Sequence, residues 1–93
     1  MATLIPAHGV PHDVAPAHGG HFTLRELQAV VGGYIEAIPT PDGRIMFLNE
    51  NGKHLQLPLN HEATARVRHW LLPGDVIVGD VLLCTRREAG EEE

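Results

Sequence analysis

Seven histidines stand out in this chain of 93 residues, because imidazole is a common zinc ligand and a base near neutral pH. A zinc site needs three or four such ligands converging at about 2.0–2.1 Å on one ion. His61 and His69 are two turns apart if they share a helix, about 12 Å along its axis, too far for a common ion. His8, His12, His18 and His21 lie in a start rich in Pro, Ala and Gly, where His18-Gly19-Gly20-His21 is the sole short-range pair. That spacing matches no zinc signature. His18 and His21 are therefore weak metal candidates, and neither a metal nor any other cofactor is expected.

Glu36 sits in an apolar run and would face Asn49 across a hairpin, with Tyr34 two positions away on the same face. A carboxylate partly buried there could act as a base. A lone base is not an active site, however, and the sequence has no nucleophile elbow, phosphate loop or HExxH. No enzymatic activity is expected. Cys84 follows Leu82 and Leu83 and reads as a buried small apolar residue, since an activated thiolate needs a cationic neighbour and exposure. Arg66 and Arg68 beside Trp70 could suggest a stacking patch for nucleic acid. Helical spacing separates them: Trp70 joins Val67 on a core stripe, and Glu62 is placed to pair with Arg66.

The elements that must position these groups belong to one small domain. Hydrophobic residues make up 43% of the chain, charged residues 20%, and only four aromatics are present, so the core is mostly aliphatic. The net charge of -5 is concentrated at one end, because Glu88, Glu91, Glu92 and Glu93 fall in the last six positions. The nearly neutral remainder offers no field for non-specific nucleic-acid binding. Cys84 has no intrachain partner, which fits a reducing cytoplasm. The start lacks a signal-like pattern and no run approaches a membrane span. A soluble cytoplasmic protein is expected.

Three segments follow. Residues 1–21 form a leader with a near-repeat, Ile5-Pro6-Ala7-His8-Gly9 and Ala15-Pro16-Ala17-His18-Gly19. It reads as an edge hairpin, because proline cannot donate to a central ladder; a flexible leader is the alternative. Residues 22–87 form the globular part. Thr23-Leu24-Arg25-Glu26 is a capping box with Phe22 and Leu27 as its staple, opening a helix over 23–31 that Gly32-Gly33 ends. Tyr34–Pro39 and Arg44–Asn49 flank Pro41-Asp42-Gly43 as a hairpin. With Asp42-Gly43 as the loop, Ile38 faces Phe47 and Glu36 faces Asn49. Asn60 caps a second helix to Leu71 with a stripe of Ala63, Val67, Trp70 and Leu71. A strand from Asp75 to Thr85, bulged at Gly79-Asp80, completes the sheet. Residues 88–93 read as a solvated, disordered acidic tail.

The segment Leu24-Arg25-Glu26-Leu27-Gln28-Ala29-Val30-Val31-Gly32-Gly33-Tyr34-Ile35-Glu36, with Asn49-Glu50-Asn51-Gly52-Lys53 and Ile77-Val78-Gly79, resembles a small domain of unknown function found in phages, plasmids and bacteria. The hallmark of that family is an LQxxVGGxIE helix-to-strand segment followed by an NEEGK-like turn. The resemblance covers roughly residues 23–85, whereas the His/Pro leader departs from the family's usual first strands. It implies a compact α+β domain and no particular chemistry.

The expected fold is thus α+β, a small and mainly antiparallel sheet with both helices on one face. One apolar face of the hairpin would then lack cover. Tyr34, Glu36, Phe47, Asn49, Glu50 and Asn51 at that strip are the expected contact residues for a protein partner or a second copy of the chain. The leading function is a non-catalytic interaction or regulatory module. The rival is a small metal- or ligand-binding protein using the His-rich start.

Overall fold

A computed structural model describes residues 1–17 and 19–91. His18, one of the two weak metal candidates, and Glu92 and Glu93 of the acidic tail lie outside the described residues. Among the described residues, five strands form one antiparallel sheet: β1 (Ala2–Ile5), β2 (His12–Val14), β3 (Ile35–Pro39), β4 (Arg44–Asn49) and β5 (Val81–Thr85). Their order across the sheet is β2-β1-β5-β4-β3. Two helices, α1 (Leu24–Val31) and α2 (His61–Arg66), and a 3-10 turn (Arg68–Trp70) complete the fold. The α+β architecture with an antiparallel sheet is as the sequence pattern implies.

The helices, however, lie on opposite faces of the sheet, not on one. Ile45 and Phe47 of β4 and Leu82 and Cys84 of β5 point to one side, where they pack with Phe22 and Leu27 of the α1 region. Met46 and Leu48, with Val81 and Leu83, point to the other side and meet Ala63 and Val67 at α2. Successive strand residues face opposite ways, so an apolar run such as Val81-Leu82-Leu83-Cys84 needs cover on both faces. Each such Leu, Ile or Met buried in full stabilises the fold by about 1.5–3 kcal/mol relative to exposure.

The hairpin register is shifted by one from the expected pairing. Glu36 stands opposite Leu48, Ile38 opposite Met46, and Ile35 opposite Asn49. The loop holds three residues, Pro41, Asp42 and Gly43, closed by Thr40 N–H to Arg44 O at 2.8 Å and Gly43 N–H to Thr40 O at 3.1 Å. Gly43 at φ +87° supplies the left-handed residue that ends a three-residue hairpin loop. Because a one-residue slip exchanges faces, Glu36 and Ile38 lie on the α2 side, while Ala37 lies on the α1 side with Phe47.

The leader's arms pair antiparallel, Thr3 with Asp13. Of these two arms β2 is at the edge, while β1 also pairs with β5 and is an inner strand. Helix α1 begins at the expected capping box: Glu26 N–H donates to Thr23 Oγ1 at 3.1 Å and Thr23 N–H to Glu26 Oε1 at 2.8 Å. The second helix is shorter than expected, ending at Arg66, and Trp70 leaves the core stripe for the surface. The last strand starts only at Val81, since Gly79 turns left-handed and donates to Pro58 O at 2.7 Å.

The start of the acidic tail is held as well. Glu88 accepts from Thr85 N–H at 2.9 Å through Oε1, its carbonyl accepts from Phe22 N–H at 2.7 Å, and Ala89 packs against the α1-side core. Glu88 and Ala89 are therefore not part of a solvated tail.

Candidate functional site

The α2-facing surface of the β3–β4 hairpin carries three cross-strand rows: Glu36 with Leu48, Ile38 with Met46, and, at the loop, Thr40 beside Arg44. At 3.4 Å per residue these rows span about 14 Å. Helix α2 has only six residues, too few to cover all three. A hollow remains on either side of the Ile38 row, one lined by Trp70 of the 3-10 turn and the other by Leu71 just after it.

The hollow at the Glu36 end, about 200 Å³, takes in Glu36, Ile38, Asn49, Glu50, Asn51 and Lys53 among its lining. Four residues expected at a contact site, Glu36, Asn49, Glu50 and Asn51, thus come together here. Glu36, Glu50 and Asn51 are exposed. Tyr34 is 68% exposed just before β3, and its carbonyl accepts from Glu50 N–H at 2.9 Å. Phe47 does not belong to this group. It is 7% exposed and lies beneath α1 on the other face, because the true register turns it there.

Asn49 is held inside the fold. Its Nδ2 donates to Val31 O at 3.0 Å and its Oδ1 accepts from Asn51 N–H at 2.8 Å. It ties the end of α1 to β4 and to the turn that follows. Lys53 pairs with Asp75 at the mouth of this hollow, and the Lys53 ammonium lowers the Asp75 pKa below the usual carboxylate range, with a further bond from the Val76 amide.

The hollow at the loop end is larger, 490 Å³. Met46 and Leu83 form its floor, Thr40 and Pro41 one wall and Trp70 the other, with Arg44 and Arg66 among its polar groups. Asp42 accepts from Arg44 Nε at 2.8 Å and pairs with its Nη2 at 2.7 Å. The Arg44 guanidinium and the Thr40 hydroxyl lower its pKa to about 2. The sequence pattern did not single out this hollow, because it needs residues 40–46, 66–70 and 83 in one place. No local signal marked it, since Trp70 reads as a core residue of a helix that runs to Leu71.

Among the described residues, no group of three or more His, Cys, Asp or Glu side chains is placed to hold a metal ion. His8 and His21 are exposed, and His12 Nδ1 donates to Val10 O at 3.0 Å. No described helix is long and apolar enough to cross a membrane.

No curated protein and no solved structure matches the chain. A family model, Domain of unknown function (DUF3846), matches residues 4–93. The match begins at Leu4, within β1, so most of the His/Pro leader lies inside the matched residues. The α+β domain built around this hairpin belongs to the DUF3846 family.

Proposed function

We propose that the protein is a small non-catalytic interaction module that works through the open edge of β3, pairing with a strand of a second copy. The observation that supports this reading is the edge itself. Strand β3 ends the sheet order. Glu50 N–H bonds to Tyr34 O and Thr40 N–H to Arg44 O, so in an antiparallel ladder the alternate residues Ile35 and Ala37 aim their N–H and C=O groups away from β4. Such a row is a template for another strand. Pro39 has no N–H and stops the added ladder, which limits pairing to the Ile35–Ala37 stretch. Exposed Tyr34, Glu36, Glu50 and Asn51 flank it and would supply side-chain contacts. An accessory role in a mobile element is in keeping with the phage and plasmid domains that the sequence resembles.

Sedimentation velocity over a wide concentration range tests the reading. The wild type is expected to form a dimer that Ala37→Pro and Ala37→Lys both abolish, with little change in melting temperature, because Ala37 is exposed and its N–H points outward. A wild type that stays monomeric throughout, or a dimer that survives both substitutions, overturns it.

A further inference from the structure

The 490 Å³ hollow at the loop end has the make-up of a ligand site and does not depend on the β3 edge. Its volume falls within the roughly 300–1,000 Å³ of small-molecule pockets. Met46 and Leu83 lie beneath it, buried at 0% and 2% exposure, so the apolar surface open to a ligand is that of Trp70 and Pro41. Trp70 forms a wall with 48% of its surface exposed, so an indole face is available for stacking. What stacks on the indole should be flat and apolar.

The charges around it are uneven. Among the described residues, the charged groups lining the hollow are Arg44, Arg66 and Asp42. Asp42 is taken up by Arg44 at 2.7 and 2.8 Å and by the Thr40 hydroxyl, so these two charges cancel locally. Arg66 is engaged differently. Its Nε donates to Glu62 Oε2 at 2.9 Å in an exposed i,i+4 pair, a kind of contact that constrains a side chain only weakly. Its Nη1 and Nη2 have no recorded partner among the described residues, and a guanidinium presents such a pair of donors in the geometry of a carboxylate or sulfonate.

We propose that this hollow binds a planar aromatic monoanion, an aryl carboxylate or aryl sulfonate, with its ring against Trp70 and Pro41 and its anionic group on the Nη edge of Arg66. A cation of the same shape would meet Arg66 unfavourably, and a dianion would find only one available guanidinium edge.

Trp70 is the single tryptophan of the chain, so its indole N–H gives one resolved signal in a ¹H–¹⁵N spectrum. Titration with 2-naphthoate, and with 2-naphthylmethylammonium as its cationic counterpart, provides the test. Naphthoate is expected to shift the Trp70 signal saturably, and the cation to leave it in place. Arg66→Gln should weaken naphthoate binding roughly tenfold, the loss of a charge-assisted hydrogen-bond pair, with the remaining spectrum unchanged. Glu62→Gln, which releases Nε, should tighten it. Ala37→Pro should bind naphthoate as the wild type does, which separates this site from the strand edge. Equal response to anion and cation, indifference to Arg66→Gln, or no saturable shift overturns the proposal.

Discussion

The backbone N–H of Phe22 donates to the carbonyl of Glu88 at 2.7 Å, and this bond joins two versions of one local design. Thr23-Leu24-Arg25-Glu26 and Thr85-Arg86-Arg87-Glu88 share the pattern Thr-x-Arg-Glu. In the second, Glu88 N–H donates to Thr85 Oγ1 at 3.1 Å while Thr85 N–H donates to Glu88 Oε1 at 2.9 Å, the same reciprocal box that opens α1. The first box starts a helix. The second closes a single turn, with Ala89 N–H on Thr85 O at 3.0 Å.

Truncation after Arg87 is therefore expected to destabilise the protein, contrary to what a string of glutamates suggests. It removes the acceptors for Phe22 and Thr85 and the packing of Ala89. A loss of about 2 kcal/mol, or roughly 10 °C in Tm, is expected, and thermal melting checks it.

The same turn should make stability depend on pH. Burial raises the Glu88 pKa, but the Thr85 amide, the Met1 amine and the Thr85 hydroxyl together bring it below its ordinary 4.5. A carboxyl whose pKa is lower in the folded state contributes stability above its unfolded value and loses it as pH falls through the folded one. Glu88→Gln should melt below the wild type at pH 7, and the gap should narrow once the pH drops under 4.5.

Asn60 is a second point of concentrated cost. Its Oδ1 accepts from Ala63 N–H at 2.9 Å as the cap of α2, while its Nδ2 donates to Ile5 O at 2.9 Å and Gly79 O at 2.8 Å. Asn60→Asp keeps the cap but sets a carboxylate against two carbonyls at a fully buried position. A cost of about 3 kcal/mol or more is expected, partly relieved at acid pH as the carboxyl takes up a proton. Asn60→Ala, which introduces no charge, should cost less. Urea denaturation at two pH values distinguishes them.

Cys84 should be inert in the folded protein. It is 1% exposed, and burial, with smaller effects from Glu88 and Glu91, pushes its thiol up to about 12. Alkylation by iodoacetamide at pH 8 is expected only at the rate at which the sheet opens, and denaturant should accelerate it steeply. Prompt modification of the native protein would place the thiol outside the core.

Local chemistry made part of this fold legible. The α1 box needs only residues 22–32, and it stands where its sequence puts it. The β3–β4 hairpin was legible too, but Asp42-Gly43 resembles a two-residue loop, and only the fixed φ of Pro41 argued for the longer one that sets the true faces. Phe47 was misplaced for that reason. Trp70 was misread because its i+7 spacing continues past Val67, where the helix stops. Glu50 and Asn51 were legible as turn residues, but the edge position of Glu36 was not, because strand order is set by the whole sheet. The hollow beside Arg66 was not, since it arises from the distance at which α2 crosses the hairpin, a tertiary quantity.

The position of β5 also determines when the sheet can exist. It is the last of the five strands in chain order, yet it lies in the middle, between β1 and β4. On the ribosome the two hairpins, β1–β2 and β3–β4, emerge first and have no strand to join them. Until Val81–Thr85 is released, β1 and β4 each present an unpaired apolar edge. Closing the sheet then spans almost the whole chain, a separation that slows folding. A nascent chain paused before β5 is thus the state most exposed to edge-to-edge association.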